Sequence, residues 1–255
     1  MSEGWISEVF LSVQGEGVWA GLWQVFVRVA GCPLSCRYCD TLYARERAST
    51  FTVHQLDSQM YEGKNPVSPE EAVLWVKRVA SPVVRSVSIT GGEPCAQPDF
   101  VHKICKLLHQ EGFEVHLDTS GFPEEGFLHI VEEVDYVSLD FKDPKSQREE
   151  EPPYEQILVA EFRALERCIR LEKPLCIKIP VWEGVELEWM STLGEALAEH
   201  QERILAVVLT PITETSEVKR PSIRYMLQLC EQLARYISPK RIRIIPQLHR
   251  ALGVP

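Results

Sequence analysis

Three cysteines fall within eight residues in the run Cys32-Pro-Leu-Ser-Cys36-Arg-Tyr-Cys39, four and then three positions apart. Iron–sulfur cubes are held by cysteine thiolates, normally four of them. A set of three therefore leaves one iron without a protein ligand, and an open iron can bind and activate a small molecule. The same residues can also be read as small buried hydrophobes, or as zinc ligands completed by a His or a fourth Cys. Structural zinc sites more often pair two short Cys/His hooks, and the chain has no second C-x-x-C and no H-x-x-x-H.

Other polar groups cluster in short motifs. Thr90-Gly-Gly-Glu-Pro94 holds Gly91 and Gly92, which let backbone come close to a ligand because no Cβ intervenes. Carbonyls on such a loop can accept hydrogen bonds from an ammonium group, although a Gly-Gly pair by itself is a turn. Thr41, two residues after Cys39, is either a turn hydroxyl bonded to its own backbone or a hard oxygen ligand for Mg²⁺. Glu8-Val-Phe-Leu-Ser-Val-Gln-Gly-Glu-Gly17 carries Gln14 and Glu16. The amide offers acceptor and donors, the carboxylate accepts only, and the pair suits a guanine-like edge as well as a polar turn. Arg28 lies in an apolar stretch and needs an anion, whether an internal carboxylate or that of a ligand. Near the C-terminus, Gln247 and His249 share one side if a strand continues through them; a lone histidine there is more often structural. Cys95, Cys105, Cys168, Cys176 and Cys230 are scattered and read as packing residues, Cys95 being notable because it directly follows the Gly-Gly loop.

These residues need a scaffold that brings them together. The pattern alternates strand and helix. Trp23–Ala30 reads as the first strand, followed at once by the cysteine loop. Residues 42–67 are polar and irregular and receive no assignment. Ser68-Pro-Glu-Glu71 is a helix start, with a cap, a first-turn proline and a glutamate three residues on. Arg85–Thr90 is a strand, and a helix near Phe100–Gln110 stops at Gly112. Further strands are expected at Glu114–Asp118, Tyr136–Asp140, Leu175–Val181, Leu205–Thr210 and Ile242–Pro246, with helices around 155–171, 187–200 and 222–236. Arg148–Pro153 reads as a solvated, charged loop. This alternation implies a parallel sheet with right-handed crossovers. About six or seven units fall short of the eight of a closed barrel. The expected architecture is an incomplete α/β barrel of six to seven mostly parallel strands, with the chemistry at the strands' C-terminal ends.

Composition bounds the rest. The chain has 255 residues, 45% hydrophobic and 25% charged, with a formal net charge of -10, and residues 1–255 are expected to form one domain. The acidic balance argues against non-specific nucleic-acid binding, which needs a basic surface. Met1-Ser-Glu-Gly-Trp5 shows no signal-peptide pattern, and no apolar run approaches the ~18 residues of a membrane span. The expectation is a cytoplasmic protein whose eight cysteines are reduced thiols or metal ligands.

Together the motifs resemble the radical S-adenosylmethionine (SAM) superfamily, marked by C-x-x-x-C-x-x-C. More closely they resemble the 7-carboxy-7-deazaguanine synthase family. That likeness rests on Ser12–Gly17 as S-x-Q-G-E-G, Phe26–Cys32 as F-V-R-x-A-G-C, Cys39-Asp40-Thr41, Thr90–Pro94 and the terminal Pro-Gln-Leu-His249. It spans nearly the whole chain in the expected order. Asp118-Thr-Ser-Gly121 stands where relatives often have Glu-Thr-Asn-Gly, and Thr210-Pro where Gln-Pro is commoner.

The resemblance implies a 4Fe–4S cluster on Cys32, Cys36 and Cys39, with SAM on the open iron. Its radical takes a hydrogen from C6 of 6-carboxy-5,6,7,8-tetrahydropterin, the ring contracts, ammonia leaves and SAM is regenerated, on the path to queuosine and related deazapurines. No protein residue is then assigned as catalytic. The implied substrate contacts are Val13, Gln14, Gly15, Glu16, Arg28, Thr90, His249 and the terminal carboxylate of Pro255. The implied SAM contacts are Tyr38, Cys39, Asp40, Gly92, Glu93, Ser138, Asp140, Lys142 and Thr210, with Thr41 on Mg²⁺. A flavodoxin- or ferredoxin-like electron donor and a homodimer are also implied. Two rivals remain at this stage: an activase that installs a glycyl radical on a protein, and a zinc- or cluster-stabilised binding module.

Overall fold

The computed structural model describes residues 3–55, 59–148 and 152–255. In chain order it runs β1 (Ile6–Val13), β2 (Trp23–Val29), β3 (Thr50–His54), β4 (Met60–Lys64), α1 (Pro69–Val79), β5 (Ser86–Gly91), α2 (Pro98–Gln110), β6 (Glu114–Thr119), α3 (Glu124–Ile130), β7 (Tyr136–Asp140), α4 (Tyr154–Arg170), β8 (Leu175–Val181), α5 (Leu187–Leu197), β9 (Ala206–Pro211), α6 (Ile223–Leu233), β10 (Ile242–Ile244) and α7 (Leu248–Leu252). All ten strands form one sheet in the order β10-β9-β8-β7-β6-β5-β2-β1-β3-β4. The seven from β10 to β2 are mutually parallel, and β4 and β10 are its two ends, so the barrel stays open as expected.

Three strands extend the sheet beyond β2. β1 pairs antiparallel to β2, β3 parallel to β1, and β4 antiparallel to β3. Both results correct the sequence reading. The Glu8–Gly17 segment, read as lying before the first strand, contains most of β1, and the unassigned 42–67 stretch holds the β3–β4 hairpin. β1 hides because it is buried on both faces along most of its length, which removes the period-two signal. α3 was also missed; its seven residues make too short a periodic run. α5 ends at Leu197 and runs on as a 3-10 turn over Ala198–Arg203. At the C-terminus the strand stops at Ile244 and Gln247 caps α7, so Gln247 and His249 do not alternate along a strand. The capped start of α1 is as read: Ser68 Oγ accepts from the Glu71 N–H at 3.2 Å, and Val73, Val76 and Val79 are buried. Glu149–Glu151 of the charged loop lie outside the described residues.

Strand residues alternate between two environments. One set, including Val27, Ile89, Leu117, Leu139, Ile177 and Leu209, joins the main core. The other set faces the barrel interior and is polar: Gln24 and Arg28 on β2, Ser88 and Thr90 on β5, His116 and Asp118 on β6, Ser138 and Asp140 on β7, Lys178 on β8. Parallel strands covered on both sides are usually near-continuous hydrophobic runs. An interior of this kind persists only if its groups are hydrogen-bonded or paired.

Gln97 fixes the base of the cysteine loop. Its Oε1 accepts from the Trp5 N–H at 2.7 Å, and its Nε2 donates to Trp5 O at 2.8 Å and Ala30 O at 2.9 Å. Gln97→Leu strands these groups without partners. At about 1 kcal/mol net per lost bond, more where a group stays buried and unpaired, a loss of about 2–4 kcal/mol is expected in urea unfolding of the metal-free chain. A change below about 0.5 kcal/mol would show that Gln97 does not anchor the loop.

Candidate active site

The cysteine loop leaves β2 through Gly31, whose φ of 95° suits only glycine comfortably. It is then gripped from two sides. Gly31 N–H donates to Ala44 O at 2.7 Å, and Gly31 O accepts from Glu93 N–H at 2.9 Å. A Cβ on Gly92 would lie 2.3 Å from Gly31 O, so Gly92 is what allows the loop after β5 to reach the cysteine loop. The Glu93 side chain, 3% exposed, locks that arrangement. Its carboxylate accepts from Cys95 N–H at 3.0 Å, Ser120 N–H at 3.0 Å, Ser120 Oγ at 2.6 Å and Thr119 Oγ1. Cys32, Cys36 and Cys39 are half-buried free thiols that line one cavity of ≈ 440 Å³. Cys95 is buried and within 3.2 Å of Thr119 Oγ1, away from the cavity lining.

The interior charges converge at the same place. Lys178 Nζ lies 2.8 Å from Glu16, 2.7 Å from Asp118 and 3.2 Å from Asp140, and Lys142 Nζ lies 3.1 Å from Asp140. Burial by itself would lower the Lys178 pKa, but the three carboxylates raise it well above the ordinary lysine value. Burial pushes Asp118 up to about 6, with Lys178 opposing and Asp140 and Glu16 adding to the rise. For Glu16 the order reverses: burial raises it, yet Lys178 and the Gln247 hydrogen bond hold it below the usual glutamate value.

At the mouth, Glu8 Oε1 accepts from Arg28 Nε at 2.5 Å and from Tyr43 OH at 2.7 Å. Among the described residues the Nη groups of Arg28 donate no hydrogen bond, and Arg28 lines the cavity. The C-terminal segment closes over the top. Gln247 Nε2 donates to Glu16 Oε1 at 2.9 Å and Asp40 Oδ2 at 3.1 Å, and Arg250 Nη2 donates to Asp40 at 3.1 Å. A Cβ on Gly15 would meet His249 Nδ1 at 1.9 Å, so the glycine admits the imidazole. Ser12 Oγ donates to Pro255 O at 2.7 Å.

A model of the radical SAM superfamily matches residues 26–195. The 7-carboxy-7-deazaguanine synthase of Geobacter sulfurreducens is 32% identical over 97% of this chain and 96% of its own length. That of Archaeoglobus fulgidus is 32% identical, with 97% of each chain covered. The chain belongs to the 7-carboxy-7-deazaguanine synthase family. In fold it is similar to the crystal structure of QueE from Escherichia coli, with a TM-score of 0.59, 23% identity, and 98% of this chain and 96% of that one covered. Membership of the superfamily implies a 4Fe–4S cluster and SAM.

The donor set fits such a cluster. The thiols of Cys32, Cys36 and Cys39 share the cavity wall, as a cube bound at three separate irons requires. Among the described residues, no three His, Cys, Asp or Glu side chains converge as a single ion would need. Every site residue expected from the sequence lines this cavity except Ser138. Ser138 is 1% exposed and its Oγ lies 2.9 Å from His116 Nε2, in the barrel interior behind the cavity lining. Arg28 has an internal carboxylate, Glu8, one of the two alternatives open from the sequence. The Gln14 amide is engaged within the protein, with Nε2 at 3.1 Å from Gln24 Oε1 and 3.3 Å from His116 Nδ1. Sequence reasoning passed over Lys178 altogether. The available signal was a single lysine inside the apolar run Leu-Cys-Ile-Lys-Ile-Pro-Val of β8.

Lys178→Met leaves three half-buried carboxylates without their shared cation. Breaking a fully buried pair costs about 3–5 kcal/mol, and the partial exposure of these carboxylates puts the cost toward or below the lower end. Carboxyls whose folded pKa exceeds the unfolded value hold protons more tightly in the folded state, so stability falls as pH rises from about 4 upward. Wild type already loses stability with rising pH through Asp118, between its ordinary 3.8 and about 6, and through Asp143 and Glu161, whose pKa values burial also raises; the variant keeps these contributions and adds to them. Urea titrations of the metal-free chain at several pH values check this: the variant should lose stability progressively toward neutral pH, and parallel profiles would refute the shared-cation account.

Proposed function

We propose that the chain converts 6-carboxy-5,6,7,8-tetrahydropterin to 7-carboxy-7-deazaguanine with loss of ammonia, in the biosynthesis of queuosine or related deazapurines. The observation that supports this best is one cavity shared by the three-cysteine loop and an arginine with its Nη edge open, beneath a cap formed by the β1–β2 turn and the C-terminal segment. A carboxylated pterin needs a cation and a set of groups that read its pyrimidine edge. Arg28 supplies the first, and the Val13–Glu16 turn with Thr90, His249 and Pro255 supplies the second.

When bound, the cluster and SAM supply the carbon radical that takes hydrogen from the substrate. The protein's part is placement. Cys32, Cys36 and Cys39 hold the cluster. Tyr38, Cys39, Asp40, Gly92, Glu93, Asp140, Lys142 and Thr210 wall the SAM side. Thr210 Oγ1 and Tyr38 OH are buried without a hydrogen-bond partner among the described residues, as groups awaiting a ligand would be. Ser138 acts one step back, through His116. Thr41, half-buried on the cavity wall with Oγ1 at 3.7 Å from Cys39 Sγ, is the proposed Mg²⁺ ligand. Glu8 takes the Nε edge of Arg28 and directs the Nη edge inward, where two parallel bonds to a carboxylate can form. The cap of α7 over the β1–β2 turn keeps water from the reacting centre.

The full reading includes one domain over residues 1–255, a homodimer, a cytoplasmic setting, a flavodoxin- or ferredoxin-like donor and no direct nucleic-acid or membrane partner. No helix among the described residues is long and apolar enough to cross a membrane.

An anaerobic assay with the carboxypterin, SAM, Mg²⁺ and dithionite tests the reaction: formation of the deazaguanine is expected. SAM cleavage without that product would favour another substrate, such as the glycyl residue of an activase partner. Arg28→Ala should weaken carboxypterin binding by about 30- to 150-fold, the equivalent of about 2–3 kcal/mol for charge-assisted bonds, while SAM affinity stays unchanged. Equal substrate affinity in variant and wild type, by isothermal titration, would remove Arg28 from the substrate site.

A further inference from the structure

The cysteine loop has a second wall, unrelated to the Gly-Gly loop. After β7 the chain returns along it and forms an antiparallel bridge between Cys36 and Gln147. Arg37 N–H donates to Ser146 O at 2.7 Å, and Arg148 N–H donates to Ser35 O at 3.0 Å. Arg148 Nη1 donates to Cys36 O at 2.7 Å. Between these ties, the Gln147 amide is held at both ends. Its Oε1 accepts from the Ser35 N–H at 2.8 Å. Because a backbone N–H can only donate, that contact fixes which end of the amide is oxygen. The opposite end, Nε2, lies 3.3 Å from Cys36 Sγ and 3.0 Å from Ser146 Oγ. A side-chain N–H therefore points at the sulfur of one cysteine of the three.

We propose that Gln147 donates an N–H···S hydrogen bond to the Cys36 thiolate and thereby raises the reduction potential of the cluster. The inference rests on the proposed cluster site at Cys32, Cys36 and Cys39. The physical reason is electrostatic. One-electron reduction, from a low-potential carrier protein or from dithionite, adds negative charge to the cluster and its thiolates. A donor aimed at a thiolate stabilises the reduced form more than the oxidised one, and hydrogen bonds to cluster sulfurs are among the factors that set these potentials. Because Ser35 N–H holds Oε1, the amide cannot turn away without losing a second bond. The donor is built into the loop, and Gln147 is a positioning residue that acts through Cys36.

The test is an EPR-monitored redox titration of reconstituted protein, comparing wild type with Gln147→Glu and Gln147→Leu. The glutamate substitution keeps the acceptor for Ser35 N–H and loses the N–H donor; the leucine substitution loses both. Both variants should be harder to reduce, by about tenfold in the reduced-to-oxidised ratio at a fixed potential, or about 59 mV for a one-electron couple. Iron and sulfide content, measured in parallel, separates this outcome from loss of the cluster. Potentials equal to wild type at full iron content would overturn the proposal and leave Gln147 as a loop anchor only. If neither variant retains a cluster, pulsed EPR of reduced wild type carrying ¹⁵N in its glutamine side-chain amides decides: a ¹⁵N coupling supports the bond, and its absence rejects it. Absence of a cluster from wild type would instead refute the proposed site itself.

Discussion

A lysine ammonium inside a barrel has to be matched by negative charge, and the matching of Lys178 organises this molecule. Its three carboxylate partners come from the β1–β2 turn, from β6 and from β7. Backbone pairing already joins β6, β7 and β8. The turn carrying Glu16 pairs with none of them, and the ion pair ties it across the open interior. Glu16 in turn accepts from Gln247, and the Leu248 N–H donates to Gly15 O at 2.9 Å. The β1–β2 turn and the C-terminal segment thus close over the cavity, and one buried charge anchors the turn that the segment rests on. Such an arrangement gives little net stability over an apolar interior. Its consequence is geometric: a fixed cap above a polar cavity.

The same economy of groups explains the Asp118-Thr-Ser-Gly121 segment. Both hydroxyls, Thr119 Oγ1 and Ser120 Oγ, donate to the Glu93 carboxylate, and Thr119 Oγ1 also accepts from Gly121 N–H at 2.9 Å. Glu93 follows Gly92, whose missing side chain lets the cysteine loop approach. The hydroxyls after β6 therefore hold the loop after β5 in place, and that loop holds Gly31 at the entrance to the cysteine loop. Asp118, Thr119 and Ser120 all line the cavity, and Asp118 is the charged one of the three, balanced by Lys178.

What the sequence made legible follows from signal length. Helices such as α1, with a cap and a long apolar stripe, announce themselves, and so do strands flanked by Gly-rich turns. Because the parallel strands end on one rim, the motif-bearing loops had to meet, and they do. Long-range pairing left less trace. Nothing local in Ile6–Val13 separates a strand buried on both faces from a polar turn with apolar neighbours. β3 does alternate, as Thr-Phe-Thr-Val-His with every second residue buried, but over five residues only, and its partner β4, the edge strand, is mostly exposed and carries no such pattern. The partners that satisfy Arg28, Gln14 and Lys178 lie mostly on other elements, far along the chain, so no window of sequence shows who satisfies whom. Ser138 is an example: its register opposite Asp118 and Cys176 brings its Oγ to His116, a partner 22 residues away that no local motif names.

His116 clarifies what the Val13–Glu16 turn can offer a substrate. Burial, with Lys178 adding to the effect, lowers its pKa to about 3, so the ring is neutral. Its Nδ1 faces the Gln14 Nε2 donor and its Nε2 faces Ser138 Oγ; a neutral ring that accepts at Nδ1 must carry its proton on Nε2. Both protons of the Gln14 amide are then engaged, one by His116 and one by Gln24, and Oε1 already accepts from the Glu16 N–H at 3.1 Å. One lone pair of that amide remains. A pyrimidine edge rich in N–H groups would therefore have to find most of its acceptors in the Glu16 carboxylate and the backbone carbonyls of the turn. The side chain of Gln14 shapes that turn from below: by bonding Gln24, His116 and the Glu16 backbone at once, it fixes the height at which the carboxylate stands in the cavity.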